Sequence, residues 1–356
     1  MRITRNAIAP ILLTFEFLRC NLLAEGWRQI GSHAGEDVLA SRMAAGLLVA
    51  LALSVGIGGA AARERGSVAM IAGGGIQFAA NPNVRVAWQE LRLSTTQVVM
   101  NYQLRNTSAE PQTLRAVFPL PELEMPSLVW EPSVALPAET DPNFVGFSVR
   151  IEGMPVTPAL QQRATALSLD VTGKLFDSGL PLFPLVQDMD ERIRALPAEV
   201  SRRLATLGLL APLGDRVRPM WTLRSVLHWS VDIPAKGTVE LIGSYTPIIG
   251  RRVFAEDDIA RASVSYCLSP AEQVSAVRRA RSATPLSQTE LLAYVIPTSS
   301  NLLGPAEKAR ILIELPSESS IASLCASGFR RTGPLTLEWS GKGVMIEEDL
   351  RIQVIR

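Results

Sequence analysis

The sequence predicts a mainly β protein: an antiparallel β-sandwich architecture with a helical insertion, preceded by an N-terminal signal or membrane segment. Three observations lead there. Apolar and polar residues alternate with period two in several stretches beyond Gly75. Pro (24) and Gly (25) are plentiful, as many short strands separated by turns require. Twenty residues without a charge, from Met43 to Ala62, stand ahead of the alternating region.

The N-terminal segment reads MAAGLLVALALSVGIGGAAA between Arg42 and Arg63-Glu64-Arg65. Its densest apolar stretch, Leu47 to Val55, has the length of a signal core. It gives way to small residues ending Ala60-Ala61-Ala62, a cleavage pattern. A retained membrane anchor remains the alternative. Gly56, Gly58 and Gly59 disfavour a buried core helix. Residues 1–42 precede the leader awkwardly and read as a start assigned too early, or as a disordered lead.

The N-terminal β portion, 63–157, begins with Gly73-Gly74-Gly75, which lacks the Lys-Ser or Lys-Thr of a phosphate loop and reads as a flexible lead-in. Val84, Val86 and Trp88 then alternate with polar neighbours. The phase slips at Gln89-Glu90, where a bulge or tight turn is expected, and Leu91 and Leu93 resume. Val98, Met100, Tyr102 and Leu104 continue to the turn cluster Arg105-Asn106-Thr107-Ser108, followed by strands at Thr113 to Phe118 and Phe147 to Ile151.

Over 158–219 the alternation stops. Helical spacing around Ala159 to Leu169 and Pro197 to Leu207, cut by Pro181, Pro184 and Pro197, predicts a mostly helical insertion. The C-terminal β portion, 220–356, opens on a long alternation that puts Trp221, Leu223, Leu227, Trp229, Val231 and Ile233 on one face. A strand this long is expected to bend or serve two sheets. Val239, Leu241 and Tyr245 read as its hairpin partner through Pro234-Ala235-Lys236-Gly237. Strands are further expected at Leu291 to Ile296, Ala309 to Leu315, Leu335 to Trp339 and Leu350 to Ile355, with a basic helix near Ala271 to Arg281.

Charge excludes one class of function. With 35 Lys plus Arg against 34 Asp plus Glu, no overall field draws nucleic acid. Beyond the leader only His228, Cys267 and Cys325 remain of the His and Cys residues, too few for most zinc sites, and no metal or cofactor is expected. His228 lies on the polar face of its strand near Arg224 and Asp232, as a structural histidine would. The clusters Asp188-Met189-Asp190-Glu191 and Glu256-Asp257-Asp258 lack the spacing of a calcium loop and read first as solvated or helix-terminal charge. Arg278-Arg279-Arg281 reads as a solvated helix face. Cys267 and Cys325 are an even pair once the leader is gone; a disulfide between them is expected, each flanked by strand-like sequence, with two buried thiols as the alternative.

Short motifs in order carry a family resemblance over nearly all of residues 63–356. They are Tyr102-Gln103-Leu104-Arg105-Asn106, Phe118-Pro119-Leu120-Pro121, Phe147-Ser148-Val149, Arg163-Ala164, Gly179-Leu180-Pro181-Leu182, Trp221-Thr222-Leu223-Arg224, Tyr245-Thr246-Pro247, Tyr266-Cys267 and Cys325. The chain resembles exported proteobacterial proteins classed as domain of unknown function 4424. The resemblance implies export and a shared architecture and supplies no catalytic residue. Its first part is also similar, at the level of fold, to the β-sandwich of vault and inter-alpha-trypsin type domains.

The expected function is that of an exported envelope protein, periplasmic or otherwise extracytoplasmic, binding or scaffolding an envelope protein or small ligand, with a membrane tether through Met43 to Ala62 if the leader is kept. The alternative is a periplasmic hydrolase built from carboxylates among Asp188, Asp190, Glu191, Asp257 and Asp258.

Overall fold

The computed structural model describes residues 73–356 except 129–135, 139, 283–286, 297–301 and 344–348. The leader calls, on residues 1–42 and from Met43 to Ala62, lie outside the described residues. Along the chain come β1 (Gln77–Phe78), β2 (Val84–Leu93), β3 (Val98–Asn106), β4 (Gln112–Pro119), β5 (Leu123–Glu124), the short α1 (Met125–Leu128), β6 (Ser148–Ile151) and β7 (Met154–Val156). The middle holds β8 (Ala159–Ala166), β9 (Leu169–Asp170), α2 (Thr172–Asp177), α3 (Met189–Arg194), α4 (Ala198–Thr206), β10 (Leu210–Leu213) and β11 (Arg216–Pro219). Then follow β12 (Thr222–Ile233), β13 (Thr238–Tyr245), β14 (Gly250–Val253), α5 (Asp258–Ser265), α6 (Pro270–Ser282) and β15 (Gln288–Tyr294). The last are β16 (Ala309–Glu314), β17 (Ile321–Leu324), β18 (Arg330–Gly333), β19 (Thr336–Gly341) and β20 (Leu350–Ile355).

The fold is mainly β, and its centre is a sandwich. A six-stranded sheet in the order β1-β4-β12-β8-β9, with β5 also on β12, contributes to the same apolar core as an eight-stranded sheet in the order β18-β19-β16-β2-β3-β13-β6-β7. The period-two pattern does what it should: Leu223, Leu227, Trp229, Val231 and Ile233 from β12 bury against Val98, Met100, Tyr102 and Leu104 from β3 and their neighbours. Aromatic rings join the two sheets. Phe118 of β4 stacks on Phe147, beside β6, at 4.0 Å between centroids, and Phe147 in turn meets Trp229 of β12 at 5.6 Å.

The turn Pro234-Ala235-Lys236-Gly237 does not make the hairpin that the alternation suggests. It carries the chain across the core, and β13 pairs β3 and β6 in the opposite sheet. Strand β12 has other partners. Its 222–228 stretch pairs β8 and its 226–233 stretch pairs β4, with β5 at its start, so it stays within one sheet along its length. The link from β3 to β4 makes the same crossing nearby, and Asn106 ties the two together. Its side chain, 1% exposed, donates to the carbonyls of Glu110 at 2.7 Å and Pro234 at 3.0 Å, while its backbone N–H donates to Gly237 O at 2.9 Å.

Two further readings change. Residues around Ala159 to Leu169, expected to be helical, form β8, a turn and β9. Of β8 only Ala164 is fully buried, so the segment presents no clear period; the open edge of β12 supplies the backbone partners that decide its state. Leu167 (φ 49) and Ser168 (φ 66) both take left-handed conformations in the turn, as a two-residue hairpin connection demands. The expected helix from Pro197 is present as α4, accompanied by α2 and α3, and these pack with Trp221 around a second, smaller apolar core. Gly73 is docked, not loose: it exchanges hydrogen bonds with Ala293 O and Val295 N, and a Cβ there would come within 2.3 Å of the Tyr245 hydroxyl oxygen.

A four-stranded sheet, β14-β15-β20-β17, forms a third layer. Leu292, Tyr294, Leu350, Ile352 and Val354 point into the main core, whereas Ile355 joins Phe254, Ala262, Leu268 and Ala276 in a core beneath α5 and α6. Strands covered on both faces lose their alternation, and β15 is buried at every position after Gln288. Cys267 and Cys325 are joined in a disulfide, with Cα atoms 4.9 Å apart. Cys325 follows β17 as expected, but Cys267 follows the C-terminal end of α5, so the bond ties a helix to a sheet.

Candidate functional site

The phase slip in β2 is real and is displaced from its expected place. The register passes from Val86↔Leu104 directly to Trp88↔Gln103, which makes Ala87, not Gln89-Glu90, the extra residue. One consequence is a reversal of Trp88. Counted from Val84 it should face the core; after the bulge it stands half-buried on the outer face beside Gln103, while Leu91 and Leu93 return to the core.

The bulge is held from one side by the strand entering β16. Glu307 N–H donates to Val86 O at 2.9 Å and Gln89 N–H donates to Lys308 O at 3.0 Å, so the extra residue is bracketed by backbone bonds. Over it opens a cleft of about 380 Å³, lined by Ala87, Trp88, Gln103, Arg105, Glu307 and Lys308. That volume falls in the range of small-molecule sites.

The polar groups of the cleft divide into two sets. Glu307 is fully engaged: Arg85 Nη1 donates to its Oε1 at 3.1 Å, and Arg105 donates to Oε1 at 3.4 Å and to Oε2 at 3.0 Å. This two-toothed contact fixes the Arg105 guanidinium in place. Lys308, exposed, has no carboxylate within ion-pair range among the described residues, and the Gln103 amide and Trp88 indole N–H have no hydrogen-bond partner there. Glu240, across from Gln103 in the β3–β13 register, lies outside the lining and accepts from Asn101 at 3.1 Å.

The acidic residues singled out from sequence fall elsewhere, against different cores. Asp188 precedes α3 and Asp190 and Glu191 occupy its first turn. Arg192 holds Asp188 at 2.7 Å, and that hydrogen bond keeps the exposed Asp188 carboxyl below its ordinary pKa. Asp190 meets Arg218 at 3.3 Å and Arg216 at 3.6 Å; Glu191 is exposed. Asp257 and Asp258 begin α5, where Asp258 meets Arg252 at 3.2 Å and Asp257 is exposed. The neighbouring Glu256 pairs with Arg281 of the basic helix. Each engaged carboxylate thus has an arginine, where acid–base chemistry would set a second carboxyl beside it.

His228 stands mid-strand between Val117 and Ala159. Its polar-face neighbours are occupied, Arg224 by Glu122 at 2.9 Å and Asp232 by the Thr113 hydroxyl at 2.7 Å. Among the described residues no three His, Cys, Asp or Glu side chains converge as a metal site would require, and no helix is long and apolar enough to cross a membrane. Of the cleft residues, sequence reading touched Trp88 and Arg105 and missed the roles of both. The one usable signal was the slip of phase in β2. Nothing local ties Glu307 and Lys308 to a strand that lies over 200 residues earlier.

These features define a β-sandwich protein with a polar cleft on the outer face of one sheet. The chain belongs to the family described as domain of unknown function (DUF4424), which it matches over residues 65–353. Among solved structures it is similar to a candidate nutrient binding protein from Legionella pneumophila, at 13% identity and a TM-score of 0.41, over 80% of this chain and 70% of that one. No curated protein matches it.

Proposed function

We propose that the mature chain is an extracytoplasmic envelope protein that acts by binding, and that the cleft beside Trp88 is where a small ligand is held. The observation that carries this reading is the division of groups in the cleft. Arg105 and Glu307, braced by Arg85, build a fixed wall, and Trp88, Gln103 and Lys308 stand beside it with no side-chain partner among the described residues. Preorganised walls with uncommitted polar groups and an aromatic face are what a ligand site needs. The Cys267–Cys325 bond supports the compartment, since such bonds persist where thiols are not kept reduced. So does the leader reading of the segment from Met43 to Ala62.

The test is co-purification from the native host together with a small-ligand screen on the isolated protein. The reading expects stable binding that Trp88→Ala abolishes. Turnover of a substrate without any stable partner would overturn it.

A further inference from the structure

We infer that the cleft selects a small organic anion with a flat apolar face, Lys308 meeting the charge and Trp88 the flat face. This rests on the binding reading above and adds the chemical class of the ligand.

Charge comes first. The wall of the cleft carries one carboxylate, Glu307, and both of its oxygens are taken by Arg85 and Arg105. Two guanidiniums on one carboxylate leave a positive charge over, and Lys308 adds a second with no carboxylate partner among the described residues. A cationic ligand would meet net positive charge and find no open carboxylate among the lining residues. A neutral ligand would leave the ammonium to water. An anion is the one charge type that completes the site.

Shape narrows the class further. Trp88 lies half-buried beside the bulge with the small Ala87 next to it, so the indole is the aromatic wall of the cleft. Indole faces take planar or ring-shaped carbon skeletons. Gln103 presents an amide that both donates and accepts, suited to a second polar atom on the same ligand. An inorganic anion would leave the indole unused.

The experiment compares benzoate, benzamide and acetate at millimolar concentration, following the indole N–H resonance of Trp88 in the full chain, assigned by its loss in Trp88→Phe. Benzoate is expected to bind about tenfold more tightly than either other probe, the scale of one charge-assisted contact or one stacked face. In Lys308→Gln the benzoate advantage over benzamide should vanish, with benzamide binding unchanged; because Lys308 is exposed, the melting curve should not move. Added salt should weaken benzoate and spare benzamide. If benzamide matches benzoate, or Lys308→Gln leaves their ratio intact, the anion class is wrong and the cleft remains a binding site for neutral rings. If no probe shifts the Trp88 resonance, both the class and the binding reading fall.

Discussion

On the outer face of the eight-stranded sheet, Arg310 reaches Glu338 at 3.0 Å and Glu90 at 3.5 Å, while Arg92 reaches Glu90 at 2.7 Å, all at the border of solvent. In the four-stranded sheet, Glu290 keeps a side chain only 3% exposed between Arg251 at 3.1 Å and Arg356 at 2.6 Å, and Gln353 and Thr289 bond each other in full burial. The same residue types serve opposite ends. Charge on the open face is cheap to place and easy to rearrange, so that is where a ligand site can sit; charge in the covered layer is locked by its surroundings and specifies how the layers fit.

That contrast can be attacked at four points. Replacing Cys267 and Cys325 by Ser releases a loop of sequence separation 58, for which chain entropy alone gives about 4 kcal/mol of lost stability. Urea denaturation should show it, and thiol labelling of the denatured, unreduced protein should leave Cys267 and Cys325 unlabelled. An unchanged midpoint would mean that the covered layer does not depend on its staple. Next, Glu290→Gln should cost about 2 kcal/mol, because a buried carboxylate loses the charge that meets Arg251 and Arg356. On the open face, Arg310→Ala should cost less than about 1 kcal/mol despite its two carboxylate partners, being more than a third exposed. Equal losses at Glu290 and Arg310 would erase the distinction between the layers.

The smallest effect is expected from acid. Arg192 lowers the carboxyl of Asp188, Arg281 lowers that of Glu256, and the Thr172 backbone N–H lowers that of Asp170. A folded pKa below the unfolded one stabilises the fold above the ordinary carboxylate range, and the contribution is lost as pH falls through the depressed folded values. Stability should therefore decline slightly on that descent, and Asp188→Asn should flatten part of the decline in urea midpoints measured across it.

The two layers also differ in how far they could be read beforehand. Where one face of a strand meets core and the other meets water, period two is written into the residues: β3 and β12 were legible nearly residue by residue. The strand β8 was not, since its side chains are mostly exposed and its state is set by the edge of β12. The crossing at Pro234 to Gly237 hid for a related reason. A turn motif shows that the chain reverses, and only the pairing of β13 with β3 and β6 shows that the reversal spans two sheets. For the site, local acid density drew attention to Asp188, Asp190, Glu191, Asp257 and Asp258, but density says nothing of the arginines that fold brings to them. The cleft needs Trp88 turned by a one-residue bulge and Glu307 and Lys308 delivered from far along the chain. The slip of phase was visible; its meaning was not.

The position of β20 governs when this protein can exist as a folded object. It lies between β15 and β17 in its sheet, yet both are synthesised before it. Until residues 350–355 emerge from the ribosome, β15 and β17 face a gap, and the main core lacks Leu350, Ile352 and Val354. Similarly, β2 waits for β16, its parallel neighbour. A growing chain therefore cannot complete the four-stranded sheet or the main core before its last strand is made. The order of the strands thus sets which step of assembly comes last.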